Sequence, residues 1–112
     1  MVAEGGAILV LVTAPVDKAD GLARALVERR LAACVNLVGP IRSVYRWDGR
    51  VTEDPEILMV VKSTQRQYDA LEAEVRALHP YQVPEVLAID VARGSHPYLA
   101  WLSGAVGPEV AP

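Results

Sequence analysis

The stretch IRSVYRWDGRV, residues 41 to 51, decides how the chain folds. Asp48-Gly49 separates two runs rich in branched and aromatic residues, and a type I′ hairpin turn favours that pair because both central residues need positive φ. The upstream arm reaches back through ACVNLV from Ala33 and pauses at Gly39-Pro40. The downstream arm runs from Arg50 through VTEDPEILMVVK, broken at Asp54-Pro55. Each arm is about a dozen residues or more, against roughly 5 to 6 for an ordinary strand.

Outward from the hairpin, AILVLVTA (Ala7 to Ala14) is a continuous apolar run ended by Pro15, which suits a strand covered on both faces. Asp17 offers an N-cap. Behind it Ala19, Leu22, Ala23, Leu26 and Val27 repeat at helical spacing, with Lys18, Arg24, Glu28 and Arg29 on the other side, so a helix is predicted to about Arg30. Thr64 and Gln67 form a predicted capping box for a second helix faced by Tyr68, Leu71, Val75 and Leu78 and stopped at His79-Pro80. VLAIDV, residues 86 to 91, reads as a last strand. Ser95 then caps a third helix lined by Tyr98, Trp101, Leu102 and Ala105.

The order β-α-β-β-α-β plus a C-terminal helix is the split βαβ, or ferredoxin-like, plan of the α+β class. Right-handed crossovers put both long helices on one face of a four-stranded antiparallel sheet. The chain reads as a single domain over residues 1 to 112, with a core about 7 to 105 and a flexible tail at 106 to 112. At ~3.3 Å per residue the hairpin outruns the ~20 Å of either crossover helix and must overhang. An overhang carrying Val44, Tyr45, Trp47 and Val51 exposes unpaired edges and aromatic surface, which predicts self-association. The alternative is a solvated hairpin kept soluble by Arg42, Arg46 and Glu53.

Of the 112 residues 52% are hydrophobic, enough for one core, and the net charge is -3. That balance offers no basic surface for nucleic acid. An RNA-reading sheet is further disfavoured by the lack of stacking aromatics in the middle-strand motifs such sheets use. The N-terminal apolar run falls short of a ~20-residue membrane span and lacks a basic flank, so no membrane partner and a soluble, cytoplasmic protein are expected. Cys34 is the lone cysteine, which fits a reducing compartment. No GxGxxG, P-loop, HExxH or spaced cysteine pair occurs, and no enzyme is signalled.

HPYQVPEV, residues 79 to 86, carries more chemistry than a connection needs. Pro80 blocks helix continuation and Pro84 holds the chain extended. His79 reads equally as a ligand or as a cap on the helix C-terminus. Glu85 is a solvated carboxylate or a ligand, and His96 is a surface residue of its helix's first turn. Tyr45, Trp47, Tyr81 and Trp101 either line a pocket or serve as core or interface anchors. Lys62 is a strand-end cation or the holder of an anionic ligand, while Cys34 reads as a small buried hydrophobe.

LAACVNLV (31 to 38), SVYRWDGRV (43 to 51), ILMVVKST (57 to 64), LHPYQVPEV (78 to 86) and YLAWL (98 to 102) together resemble the CutA, or divalent cation tolerance, proteins. The match spans about residues 7 to 103. The resemblance implies the same fold, a homotrimer in which the hairpin pairs with neighbouring subunits, and association with copper or other divalent cations. In some family members a cysteine before Thr-Ala-Pro and two adjacent histidines before Pro-Tyr are the proposed copper ligands. Here Val12 and Leu78 stand at two of those places, leaving His79, with Glu85 as a carboxylate partner, for weak metal binding. An alternative class, a regulatory module similar to the nitrogen-regulatory PII proteins, would hold a small anion near Lys62, Arg46 and Tyr81. In either case residues 79 to 86 are expected to lie against a neighbouring subunit's hairpin, near Tyr45 and Trp47, with Tyr81 as the anchor.

Overall fold

In β1 (Ala7–Ala14) Ile8, Val10, Val12 and Ala14 are fully buried, whereas Leu9, Leu11 and Thr13 on the other face are only partly so. The computed structural model, which describes residues 6–108, thus covers one face of this strand and leaves the other open. Its unbroken apolar run reflects two apolar faces, of which the chain itself fills one.

The covered face packs on α1 (Ala19–Glu28) and α2 (Tyr68–Leu78). Leu22, Ala23 and Leu26 of α1 and Leu71 and Val75 of α2 join Val10, Val12, Met59 and Val61 in one core. An ion pair between Arg29 and Glu74 ties the two helices together at their surface. The side-chain caps predicted for α1 and α2 are absent. The N-cap of α1 is Lys18, where a turn in which Lys18 and Ala19 both donate to the Pro15 carbonyl replaces the Asp17 cap. Thr64 is the last residue of its strand and caps nothing, because a single 3-10 turn, Gln65–Gln67, comes between it and α2.

The hairpin is as long as its turn implies: β2 is Cys34–Trp47 and β3 is Arg50–Thr64. Asp48 and Gly49 have φ of 53° and 75°, both positive as the I′ geometry demands. With β4 (Val86–Asp90) the strands form one antiparallel sheet in the order β2-β3-β1-β4. β1 pairs with β3 only between Ile57 and Thr64, so residues 50–56 and their partners 41–47 project as a two-stranded ribbon. The molecule measures 50 × 27 × 22 Å as a result. Ser95 caps α3 (His96–Ala105), its Oγ accepting from the Tyr98 amide at 3.4 Å. Arg30 holds the far end of α3 by donating to the carbonyls of Gly104 and Gly107. Residues 109–112 of the predicted tail lie outside the described residues.

Neither predicted break interrupts its strand. Pro55 opposes Arg42 at a point where β1 has already ended and one side of β3 has no partner, the setting in which a strand tolerates a residue without an N–H. Gly39-Pro40 forms a bulge that opposes two residues to Ile57 alone, between the pairs Val38–Leu58 and Ile41–Glu56. Gly39 has φ of 136°, and a Cβ there would meet the Ile41 nitrogen at 2.8 Å and the Glu56 oxygen at 3.0 Å. Only glycine fits.

The bulge changes which side chains face which way. Before it the even-numbered Cys34, Asn36 and Val38 share the open face; after it the odd-numbered Ile41, Ser43, Tyr45 and Trp47 do. On β3 the same face carries Leu58, Glu56 and Asp54 throughout.

Leu26, with no exposed surface, should lose about 2–5 kcal/mol of unfolding free energy as Leu26→Ala. Val51→Ala, at a position 70% exposed near the ribbon tip, should change it by no more than about 0.5 kcal/mol. Urea unfolding of the two variants at one protein concentration checks the contrast.

Candidate functional site

Because the bulge sets Tyr45 and Trp47 on the same face as Asp54 and Glu56, an aromatic wall stands beside an acidic floor on the overhanging ribbon. The second wall is the segment after α2. Tyr81, Val83 and Glu85 close a cleft of about 730 Å³ over the ribbon, with Thr13 and Leu58 at its inner end. Both walls come from one chain. Within the chain, residues 79 to 86 lean on the ribbon of their own hairpin.

Tyr81 makes the closure. Its hydroxyl donates to Glu56 Oε2 at 3.0 Å, and Glu56 is only 5% exposed. Burial first, and then the hydrogen bond to Glu56 and the negative charge of Glu56, push the Tyr81 phenol up to about 12. The Tyr45 hydroxyl donates to Asp54, and that hydrogen bond is the main reason its phenol is also raised. Both tyrosines therefore remain neutral donors to carboxylates across the ordinary pH range.

His79 sits behind the wall rather than in it. The chain leaves helical geometry at this residue, with ψ of 138°, and the ring is 6% exposed. Nδ1 accepts from the Tyr81 amide at 3.1 Å, which leaves Nε2 to carry the proton and donate to the Thr13 carbonyl at 2.8 Å. Both nitrogens are thus committed to main chain, Nε2 as donor and Nδ1 as acceptor. The ring also packs on Tyr81 with centroids 4.7 Å apart. Its position is that of a pin joining the end of β1 to the cleft wall, and it bonds none of the last carbonyls of α2 through its side chain.

The other candidates divide. Glu85, Tyr45, Trp47 and Tyr81 all line the cleft. Lys62 does not: it pairs across the sheet with Cys34 and Leu9, six residues along β3 from Glu56, or about 20 Å. Its Nζ lies 3.7 Å from the half-buried Cys34 Sγ. Arg46 is likewise absent from the lining, and no Lys or Arg among the described residues pairs with Asp54, Glu56 or Glu85. His96 is exposed in the first turn of α3, as expected. Asp54 and Glu56 escaped notice in the sequence; their alternation with Leu58 along β3 was the available signal. Among the described residues no three His, Cys, Asp or Glu side chains are grouped so as to hold one metal ion.

The chain is a ferredoxin-like α+β fold with an overhanging ribbon and an acidic, aromatic cleft. The family model for the CutA1 divalent ion tolerance protein matches residues 8–105, and the chain belongs to that family. A divalent-cation tolerance protein CutA from Thermus thermophilus is 49% identical over 100 residues, covering 88% of this chain and 97% of the relative. Its solved structure superposes with a TM-score of 0.88 over 90% of this chain and 99% of the other, at 48% identity. Human protein CutA is 48% identical over 99 residues, which is 88% of this chain and 55% of the human one. A structure described as a periplasmic divalent cation tolerance protein CutA from Archaeoglobus fulgidus gives a TM-score of 0.87 at 34% identity over 90% of this chain and 99% of that one.

Replacing Tyr81 by Phe leaves a buried Glu56 oxygen without its donor and should cost about 1–3 kcal/mol at neutral pH. The Tyr81 phenol is raised in the folded state, so its contribution is fully present below the unfolded value of about 10 and is lost as pH rises through its folded value. The stability gap between wild type and Tyr81→Phe should accordingly narrow only on the alkaline side, followed by denaturant midpoints and tyrosinate absorbance. A gap that is flat through that window, or that closes on acidification alone while carboxylates are still ionised, would refute the Tyr81–Glu56 bond.

Proposed function

We propose that the chain works as a homotrimer that binds divalent cations weakly in this cleft, in the service of metal tolerance. One observation carries the cation reading: Asp54, Glu56 and Glu85 line the cleft and no basic side chain does. An anionic metabolite, the alternative drawn from the PII-like comparison, would meet three carboxylates and no compensating charge there. Carboxylate and phenol oxygens suit hard cations such as Mg²⁺ and Mn²⁺ better than copper. Copper gains a softer donor only if His79 gives up the Thr13 carbonyl or the Tyr81 amide. Weak affinity follows from donors that do not converge on one point. Metal tolerance of this kind is binding, with no catalytic step.

Self-association rests on the open sheet face. Leu9, Leu11, Leu58 and Val60 lie there only partly buried, beside Leu87 and Ile89 at 57% and 50% exposure. Such a surface, continuous with the free edges of the ribbon, is covered when copies close into a ring. Three is the number the family resemblance implies. A cytoplasmic location belongs to the same reading, supported by the unpaired Cys34, and fractionation of the source cell tests it.

Sedimentation equilibrium should give about three times the 12.1 kDa chain mass, and Leu87→Glu should shift the distribution to smaller species. A wild-type monomer at micromolar concentration would remove the trimer. Titration with Mn²⁺ should show saturable binding that weakens about tenfold or more in Glu85→Gln and changes little in Cys34→Ala. Binding that survives Glu85→Gln but not His79→Ala would return the ligand role to the histidine.

A further inference from the structure

The carboxylates of the cleft are spread out. Asp54 and Glu56 are two residues apart on one face of β3, which separates their side chains by about 7 Å along the strand. Glu85 stands across from them on the opposite wall. No single ion bridges such a set, yet all of it is negative and none of it is neutralised by a lysine or arginine of the described residues. Glu56 is 5% exposed, and the hydrogen bond it accepts comes from a neutral phenol. A ligand that brings positive charge to it would add a charge-assisted partner that the phenol does not supply.

The remaining surface is aromatic and aliphatic. Tyr45, Trp47 and Tyr81 are 38%, 61% and 41% exposed and line the same cleft as Ile41 and Val44. A hydrated metal ion gains nothing from these rings. Methylene groups do, and so do ammonium groups lying over a ring face. In an extended diamine with four methylenes between its nitrogens, the charges are about 6 Å apart by standard bond lengths, close to the spacing of Asp54 and Glu56. A cleft of about 730 Å³ also accommodates a chain of this kind with room to spare.

We propose that the cleft is a binding site for an aliphatic diamine or polyamine, its methylenes against Tyr45, Trp47 and Tyr81 and its ammonium groups at Asp54, Glu56 and Glu85. The inference builds on the cation reading of the same cleft and names an organic cation as the occupant that fits its shape. Ammonium N–H groups donate to the free carboxylate oxygens without displacing the Tyr81–Glu56 bond. Two or more linked charges bind far better than one, because the second engages at high local concentration.

Trp47 reports directly on the site, and Trp101, the other of the two tryptophans, is on α3. The experiment is therefore fluorescence titration of the assembled Trp101→Phe protein with spermidine, 1,4-diaminobutane, n-butylamine and MnCl₂ at matched ionic strength. Spermidine and the diamine should give saturable changes at concentrations about tenfold or more below n-butylamine, weakening as NaCl is raised. Glu56→Gln and Glu85→Gln should each weaken them about fivefold or more; Glu85 is exposed, so its variant keeps the test open if Glu56→Gln fails to fold. Equal responses to diamine and monoamine, or insensitivity to Glu85→Gln, would overturn the proposal. Mn²⁺ binding without a polyamine response would overturn it and leave the divalent-cation reading standing, whereas polyamine binding without Mn²⁺ binding would support it and remove that reading.

Discussion

The antiparallel pairing of β1 with residues 57–64 of β3 is the constraint from which the rest of the structure follows. It places Val10, Val12, Met59 and Val61 on one face, where two amphipathic helices cover them. It also ends abruptly, at Ala14 opposite Ile57, while β3 still has seven residues before it on the ribbon side. Beyond Ile57, β3 is therefore held by one neighbour instead of two, and its second edge is unpaired within the chain. A β1 longer by one turn of pleat would have filled that space. The short central strand thus creates both the overhang and the cleft.

The architecture was legible in the sequence because its determinants are local. Asp48-Gly49 fixes the turn by its φ requirements, and helical spacing in α1 and α2 marks the faces that the core uses. The two missed caps show local signals losing to the chain's path: Thr64 is required as the last residue of β3, and Pro15 supplies the carbonyl that Asp17 was expected to replace. Gly39-Pro40 is a subtler case. Glycine and proline usually mark the end of a strand, but here they insert one residue into a continuous ladder and reverse the facing of all that follows. Without that reversal no reading of alternate residues could bring Tyr45 and Trp47 beside Asp54 and Glu56. Lys62 lies apart from this cleft, because β3 carries it six residues, or about 20 Å, beyond Glu56.

The stretch His79 to Glu85 shows how a connection can be built to hold one side chain. His79 bonds forward to the Tyr81 amide and across to the Thr13 carbonyl, so the ring spans a gap that no backbone pairing closes. Those bonds use both nitrogens of the neutral imidazole, one as donor and one as acceptor. A protonated ring could keep the bond to Thr13 but would present an N–H to the Tyr81 amide, two donors facing each other. The segment's position is consequently tied to one charge state of one histidine. Tyr81, anchored by that histidine at its backbone, is aimed at Glu56 from above.

Glu56 then poses the central energetic question of the ribbon. Its neighbours on this face are Ile41, its partner across the ladder, and Leu58, two residues along β3, and an apolar residue at this position would bury at little cost. A carboxylate instead must be held by a donor, and the tyrosine that provides one leaves the negative charge intact. Structural economy alone would favour an isostere such as Gln, which satisfies the same hydroxyl with no charge to bury. In the proposed cation reading, the partly water-excluded wall around Glu56 would strengthen its attraction to a bound ammonium or metal ion. The aromatic side chains sharpen the effect by excluding water from one side. A carboxylate held by a donor, with aromatic rings on the same face, is the pre-organisation on which the proposed cation binding relies.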